Sequence, residues 1–215
     1  MNQPGLTGGK KRIGLFGGAF DPPHNAHLAL ATAAIAEIEL DRLHVIPTGH
    51  AWHKARTLTA PEHRLAMTHL AFSAMPAVVV DDREIKRAGP TFTIDTLRAL
   101  QAENPGAELY LLMGADQWAA FERWHEWPAI LKIAIICVAA RVINPRSRGI
   151  NEPENAINTG LNARLVSLDM PQMPVSATQI RQRIASGLGE NQAFADLLPA
   201  SVAGYISKHH LYQHL

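Results

Sequence analysis

Apolar residues gather in six short runs along the chain, at 12–16, 43–46, 77–81, 109–113, 133–139 and 164–168. Each is bounded by turn-forming or polar residues, which predicts a short buried β-strand. Between the runs, apolar positions recur at helical spacing over 26–38, 61–74, 93–103, about 116–122 and 177–186. Strand and helix therefore alternate, and the strands are apolar on both faces. That combination predicts an α/β fold, a Rossmann-like doubly wound parallel sheet with helices on both sides. Leu197, Val202, Tyr205, Ile206 and Leu211 add a helical pattern near the C-terminus. Residues 144–162, rich in Asn, Pro, Gly and Arg without a period, predict a long surface loop. Residues 1–10 read as a flexible tail, which leaves 11–215 as a single domain. In such sheets a ligand lies beyond the carboxyl ends of the strands, where the strand order reverses. Two turns fall at predicted strand ends, Gly17–His27 and Gly114-Ala115-Asp116.

Composition narrows the picture without changing it. The chain has 215 residues, 47% apolar and 18% charged, the profile of an ordinary globular domain. A formal net charge of +1 gives no basis for an extended nucleic-acid-binding surface. The lone cysteine, Cys137, sits inside an apolar strand and reads as an inert buried thiol. With no intrachain disulfide possible, and no apolar run long enough for a bilayer, we expect a cytoplasmic enzyme without a membrane partner. The apolar stretch after Lys10, Lys11 and Arg12 is broken by glycine and does not read as a signal peptide.

The turn after the first strand reads Gly17-Gly18-Ala19-Phe20-Asp21-Pro22-Pro23-His24-Asn25-Ala26-His27. Asp21 is a favoured N-cap type and Pro22 fits a first helical position, so the helix is expected to open there. A helix start offers unpaired N–H groups and the positive end of the dipole, a setting that suits phosphate. His24 and His27, three apart, share a face and add side-chain donors. Gly17 and Gly18 let a ligand approach the main chain. A second helix start, Pro174-Val175-Ser176-Ala177-Thr178-Gln179-Ile180-Arg181, has the Ser176/Gln179 pattern of a capping box. Taken alone it reads as an ordinary helix start; beside the first motif it reads as a second anion cradle with Arg181 just inside. Two such cradles, about 150 residues apart, suit one triphosphate gripped from both sides.

The first motif resembles the (H/T)xGH signature of nucleotidyltransferases, in the GGxFDPxHxGH form of bacterial nicotinate-mononucleotide adenylyltransferases. Ala26 departs from it, standing where that family usually has glycine. Pro174–Arg181 is similar to the family's ISSTxIR segment, Pro90–Leu97 to PSYTxxTL, and Met113–Asp116 to IGxD. The ending from Leu197 to Tyr212 matches as well, so the resemblance runs in ordered pieces from about 12 to 212. It implies the HxGH nucleotidyltransferase type of the fold. It also implies transfer of AMP from ATP to nicotinate mononucleotide, giving deamido-NAD and pyrophosphate in NAD biosynthesis, with Mg²⁺ accompanying the ATP. Carried over position by position, it makes His24, His27 and Arg181 the catalytic residues. Gly17, Gly18, Phe20, Lys54, Asp116, Ser176 and Thr178 would bind ATP, with Asp116 on ribose hydroxyls. Trp124 would stack on the pyridine ring, and Thr93 and the main chain at His125 would read its carboxylate. Trp118 and Phe121 would pack.

Other readings separate on particular residues. A nicotinamide-mononucleotide or phosphopantetheine adenylyltransferase shares the phosphate motifs, and the phosphopantetheine enzymes lack the Trp-rich segment. A histidine-rich metal-binding protein, suggested by eleven histidines, lacks His-Glu-x-x-His or Cys/His spacing. An NAD(P)-dependent oxidoreductase would need the absent GxGxxG, and Gly9-Lys10 stands before the first strand, not after it as in a P-loop. The preference for acid over amide, and any homo-oligomer, stay open at this level.

Overall fold

The structure, a computed structural model, describes residues 9–49, 58–141, 164–171, 173–187 and 196–213. The strands among them are β1 (Arg12–Gly18), β2 (Arg42–Pro47), β3 (Val78–Val80), β4 (Glu108–Met113), β5 (Ala134–Arg141) and β6 (Leu165–Met170). All pair in parallel, in the order β3-β2-β1-β4-β5-β6. The chain winds from β1 outward to one edge, then returns beside β1 with β4 and winds to the other. The reversal lies between β1 and β4, which are in register from Arg12 opposite Glu108 to Phe16 opposite Leu112.

Side chains alternate across the sheet into two cores, which is why the strands read as continuous apolar runs. Phe16, Leu43, Val45, Leu112, Ile135 and Cys137 enter one core. There they meet helices α1 (Asn25–Ile38), α2 (Pro61–Phe72), α7 (Ala177–Ala185) and α8 (Ala200–Lys208). Ile13, Leu15, Ile46, Leu111, Ile136 and Val138 enter the other. That face is covered by α4 (Thr93–Glu103), α5 (Ala115–Ala119), a 3₁₀ turn (Phe121–Arg123) and α6 (Trp127–Ile133). Cys137 is fully buried in β5 between β4 and β6, and burial pushes its thiol up to about 12.

The periodicity reading needs three corrections. The helix expected over 116–122 is two pieces, α5 and the 3₁₀ turn, broken at Ala120. A four-residue α3 (Arg83–Lys86) had no expectation, because Arg-Glu-Ile-Lys has no apolar period to show. Helix α6 also went unseen: the apolar run from Ile130 into β5 is shared by helix and strand, and hydrophobicity alone cannot divide it. Residues 144–162 and the first eight residues of the tail lie outside the described residues. No helix among the described residues is long and apolar enough to cross a membrane.

Candidate active site

The turn at the end of β1 does not open the helix where local signals put it. Helix α1 begins at Asn25, and its N-cap is His24, in an extended conformation, not Asp21. Asp21 is 1% exposed and its carboxylate is taken up elsewhere. Its Oδ1 accepts from the Tyr212 hydroxyl at 2.7 Å and its Oδ2 from the Thr59 N–H at 3.3 Å. These partners come from distant parts of the chain, so no local rule reveals them.

Both histidines nevertheless stand in the first turn of α1. The His24 N–H donates to Nδ1 of His27 at 3.0 Å, which makes Nδ1 an acceptor and leaves the neutral ring's proton on Nε2. The two imidazoles stack with centroids 3.7 Å apart and planes 23° from parallel. Phe20, 1% exposed, meets His27 edge-on at 5.0 Å, and Phe16 supports the same ring at 5.8 Å. The Phe20 side chain therefore belongs to the core, and any ATP contact from it is left to the main chain. His24 is buried, and burial alone lowers its pKa to about 4, so its ring is neutral near pH 7. Its Nδ1 is buried with no hydrogen-bond partner among the described residues. A ring nitrogen left that way beside a helix N-terminus fits an incoming hydrogen-bonding ligand.

The second motif reaches the first. Ser176 caps α7, its Oγ accepting from the Gln179 N–H at 3.2 Å. Arg181 is 6% exposed; its guanidinium donates to the Thr178 hydroxyl at 3.1 Å and to the Asp21 carbonyl at 2.7 Å. The first turns of α7 are thus hydrogen-bonded to the turn that leads into α1. Arg64 escaped the sequence reading. It is 1% exposed and donates to the carbonyls of Thr59 (2.9 Å) and Ala19 (3.0 Å). A signal existed: Arg64 sits on the face of α2 that also buries Met67, Thr68, Ala71 and Phe72.

Across the strand reversal, β4 ends at Met113, Gly114 is the N-cap of α5, and Asp116 stands exposed in the first turn of that helix. Trp118 and Phe121 are buried and pack on each other at 5.3 Å, as expected. Trp124 is only partly buried, and its ring leans on Phe121 at 5.5 Å. The next residue, His125, is exposed and lies against Phe92 at 4.3 Å. Phe92, not Thr93, is the N-cap of α4; Thr93 occupies its first position, half-buried. Arg98 clamps Glu126 with bonds of 3.2 and 2.6 Å, tying α4 to the segment that carries Trp124 and His125. Lys54 lies outside the described residues.

Comparison with known proteins identifies the family and the fold. The cytidylyltransferase-like family model matches residues 15–183. A protein of Albidiferax ferrireducens, named "Probable nicotinate-nucleotide adenylyltransferase", is 52% identical over 94% of this chain and 98% of its own length. A Bordetella petrii protein of the same name is 43% identical over 94% of this chain and all of its own. Among solved structures, Plasmodium falciparum nicotinic acid mononucleotide adenylyltransferase complexed with NaAD superposes with a TM-score of 0.74. It covers 95% of this chain and 98% of that one at 19% identity, a likeness of fold. The residues that build the two cradles lie within the matched span, and at this level of identity over nearly the whole length the chain belongs to the nicotinate-nucleotide adenylyltransferase family.

Proposed function

We propose that this chain transfers AMP from ATP to nicotinate mononucleotide, releasing pyrophosphate and forming deamido-NAD. The observation that carries it is the Arg181–Asp21 bond, which brings a second anion-receptive helix start against the first at the point where the sheet order reverses. The names of the full-length relatives supply the substrate.

In this reaction an oxygen of the mononucleotide phosphate attacks the α-phosphorus of ATP, and the bond to the bridging oxygen of the departing pyrophosphate breaks. The nucleophile is already anionic near neutral pH, so no side-chain base is required. The protein's work is alignment and charge stabilisation. His27 presents Nε2–H as a neutral donor, its orientation set by the His24 N–H and the Phe20 ring. His24 offers its buried Nδ1 edge. Arg181 adds fixed positive charge, with Ser176 and Thr178 around it; Gly17 and Gly18 border the phosphates, and the family resemblance adds Lys54 as a further cation for them. Asp116 takes ribose hydroxyls. Trp124 stacks on the pyridine, with Thr93 and the His125 main chain at its carboxylate. Among the described residues no three His, Cys, Asp or Glu side chains converge as a metal cage, and Mg²⁺ chelated by a triphosphate needs none. When bound, that ion neutralises phosphate charge.

A pyrophosphate-release assay with ATP and either nicotinate or nicotinamide mononucleotide tests the reading. Release with the acid is expected, and release with neither overturns the assignment. His27→Ala should fold normally and turn over at least about 100-fold more slowly, the scale of one lost oxyanion donor. Near-normal turnover would remove His27 from the chemistry.

A further inference from the structure

Beneath the histidines lies a buried polar knot that no local motif contains. Its centre is the carboxylate of Asp21, 1% exposed, held by the Tyr212 hydroxyl at 2.7 Å and the Thr59 N–H at 3.3 Å. Arg64, equally buried, ties Thr59 to Ala19 through their carbonyls, at 2.9 and 3.0 Å. The main-chain carbonyl of Asp21 receives Arg181 at 2.7 Å. Four separate pieces of chain therefore meet here: the turn after β1, the approach to α2, the first turns of α7 and the C-terminal segment after α8. The contacts span 160 residues for Arg181 to Asp21 and 191 for Tyr212 to Asp21. None of these groups except Arg181 belongs to the set read as touching substrate.

The chemistry of the knot is one-directional. A carboxylate accepts only, so Asp21 requires a donor at each oxygen, and it receives a hydroxyl and an amide N–H. Burial and the neighbouring Asp21 charge raise the Tyr212 pKa, so the hydroxyl stays a donor. If that donor is lost, a buried carboxylate oxygen loses a partner supplied from the far end of the chain. The Asp21 main chain, which anchors Arg181, then loses one of the contacts that hold it in place. Displacements near 1 Å at a positioning contact are large on the scale of catalytic alignment.

We infer that Tyr212 is a positioning residue: through Asp21 it fixes the register between Arg181 on α7 and the His24/His27 turn, so that the C-terminal segment sets the geometry of the triphosphate site. This rests on the proposed AMP transfer. It goes further in assigning control of the phosphate half of the site, and not of the pyridine half, to a residue that meets neither substrate.

Tyr212→Phe tests it, because it removes one oxygen and keeps the ring. Tyr205→Phe is the control. It deletes a hydroxyl bond of the same C-terminal region, to Nδ1 of His63 at 2.9 Å, in which no group of the knot takes part. For Tyr212→Phe, kcat should fall about 10-fold while KM for nicotinate mononucleotide stays within twofold. Affinity for α,β-methylene-ATP, measured by calorimetry, should weaken about 10-fold. Tyr205→Phe should match the wild type in both readouts. Wild-type values in Tyr212→Phe, or equal losses in the two variants, would overturn the inference, the second result marking a general loosening of the C-terminus. A wild-type protein that binds the analogue in a Tyr212-dependent way but transfers no AMP would overturn the activity and leave the positioning role standing. A wild-type protein that binds no analogue sinks both.

Discussion

His24 shows how a single residue couples stability to the site. Its ring is neutral because burial lowers its pKa from 6.5 to about 4, and folding therefore excludes a proton that the unfolded chain takes up in that interval. Stability from this residue is complete above pH 6.5 and is lost as pH falls from there toward 4. The span corresponds to about 3 kcal/mol at most. Urea midpoints between pH 4 and 7 should accordingly fall more steeply for the wild type than for His24→Gln. Parallel slopes would show that folding does not shift the ring's pKa. The same residue illustrates a limit of local rules. Asp-Pro announces a helix start, yet the helix opens three residues later, because Asp21 finds buried donors on Tyr212 and Thr59 that nothing in its neighbourhood encodes.

At the scale of elements, two glycines distinguish packing from ligand approach. A Cβ on Gly49, just after β2, would run into the Glu84 carbonyl oxygen in α3. Main chain cannot yield as a side-chain tip would, so Gly49→Ala should cost about 3 kcal/mol, the upper range for overpacking, and lower Tm by several degrees. A Cβ on Gly17, by contrast, would meet only Leu15 at an ordinary 3.9 Å. Gly17→Ala should melt within a degree or two of the wild type yet bind ATP more weakly. A stable Gly49→Ala would refute the close approach, and a Gly17→Ala with full nucleotide affinity would remove Gly17 from the phosphate site. Element assignment follows the same division. Helices with a clear apolar stripe, α1, α2 and α4, were legible from their spacing. Helix α3 was not, since its contacts are polar: Arg83 reaches Asp81 at 2.8 Å and Glu103 at 2.9 Å, and Thr96 donates to the buried Glu84 at 2.8 Å.

For the whole molecule, the parallel sheet places Cys137 where only disruption of the core beneath α1, α2, α7 and α8 exposes it. Its thiol, fully buried and shifted up to about 12, should resist iodoacetamide at pH 8 until denaturant unfolds the protein. Labelling faster than global unfolding would show that β5 opens on its own. The six strands, the burial of the central four on both faces and the two helix starts were readable along the chain, since each follows from hydrophobic period, turn chemistry and caps acting within a dozen residues. The strand order was not, and neither was the knot that draws Arg181 to the first motif. The pairing of Phe92 with His125 was equally hidden. Those depend on contacts between residues far apart in the chain, where burial and hydrogen-bond satisfaction in three dimensions override what each segment would do alone.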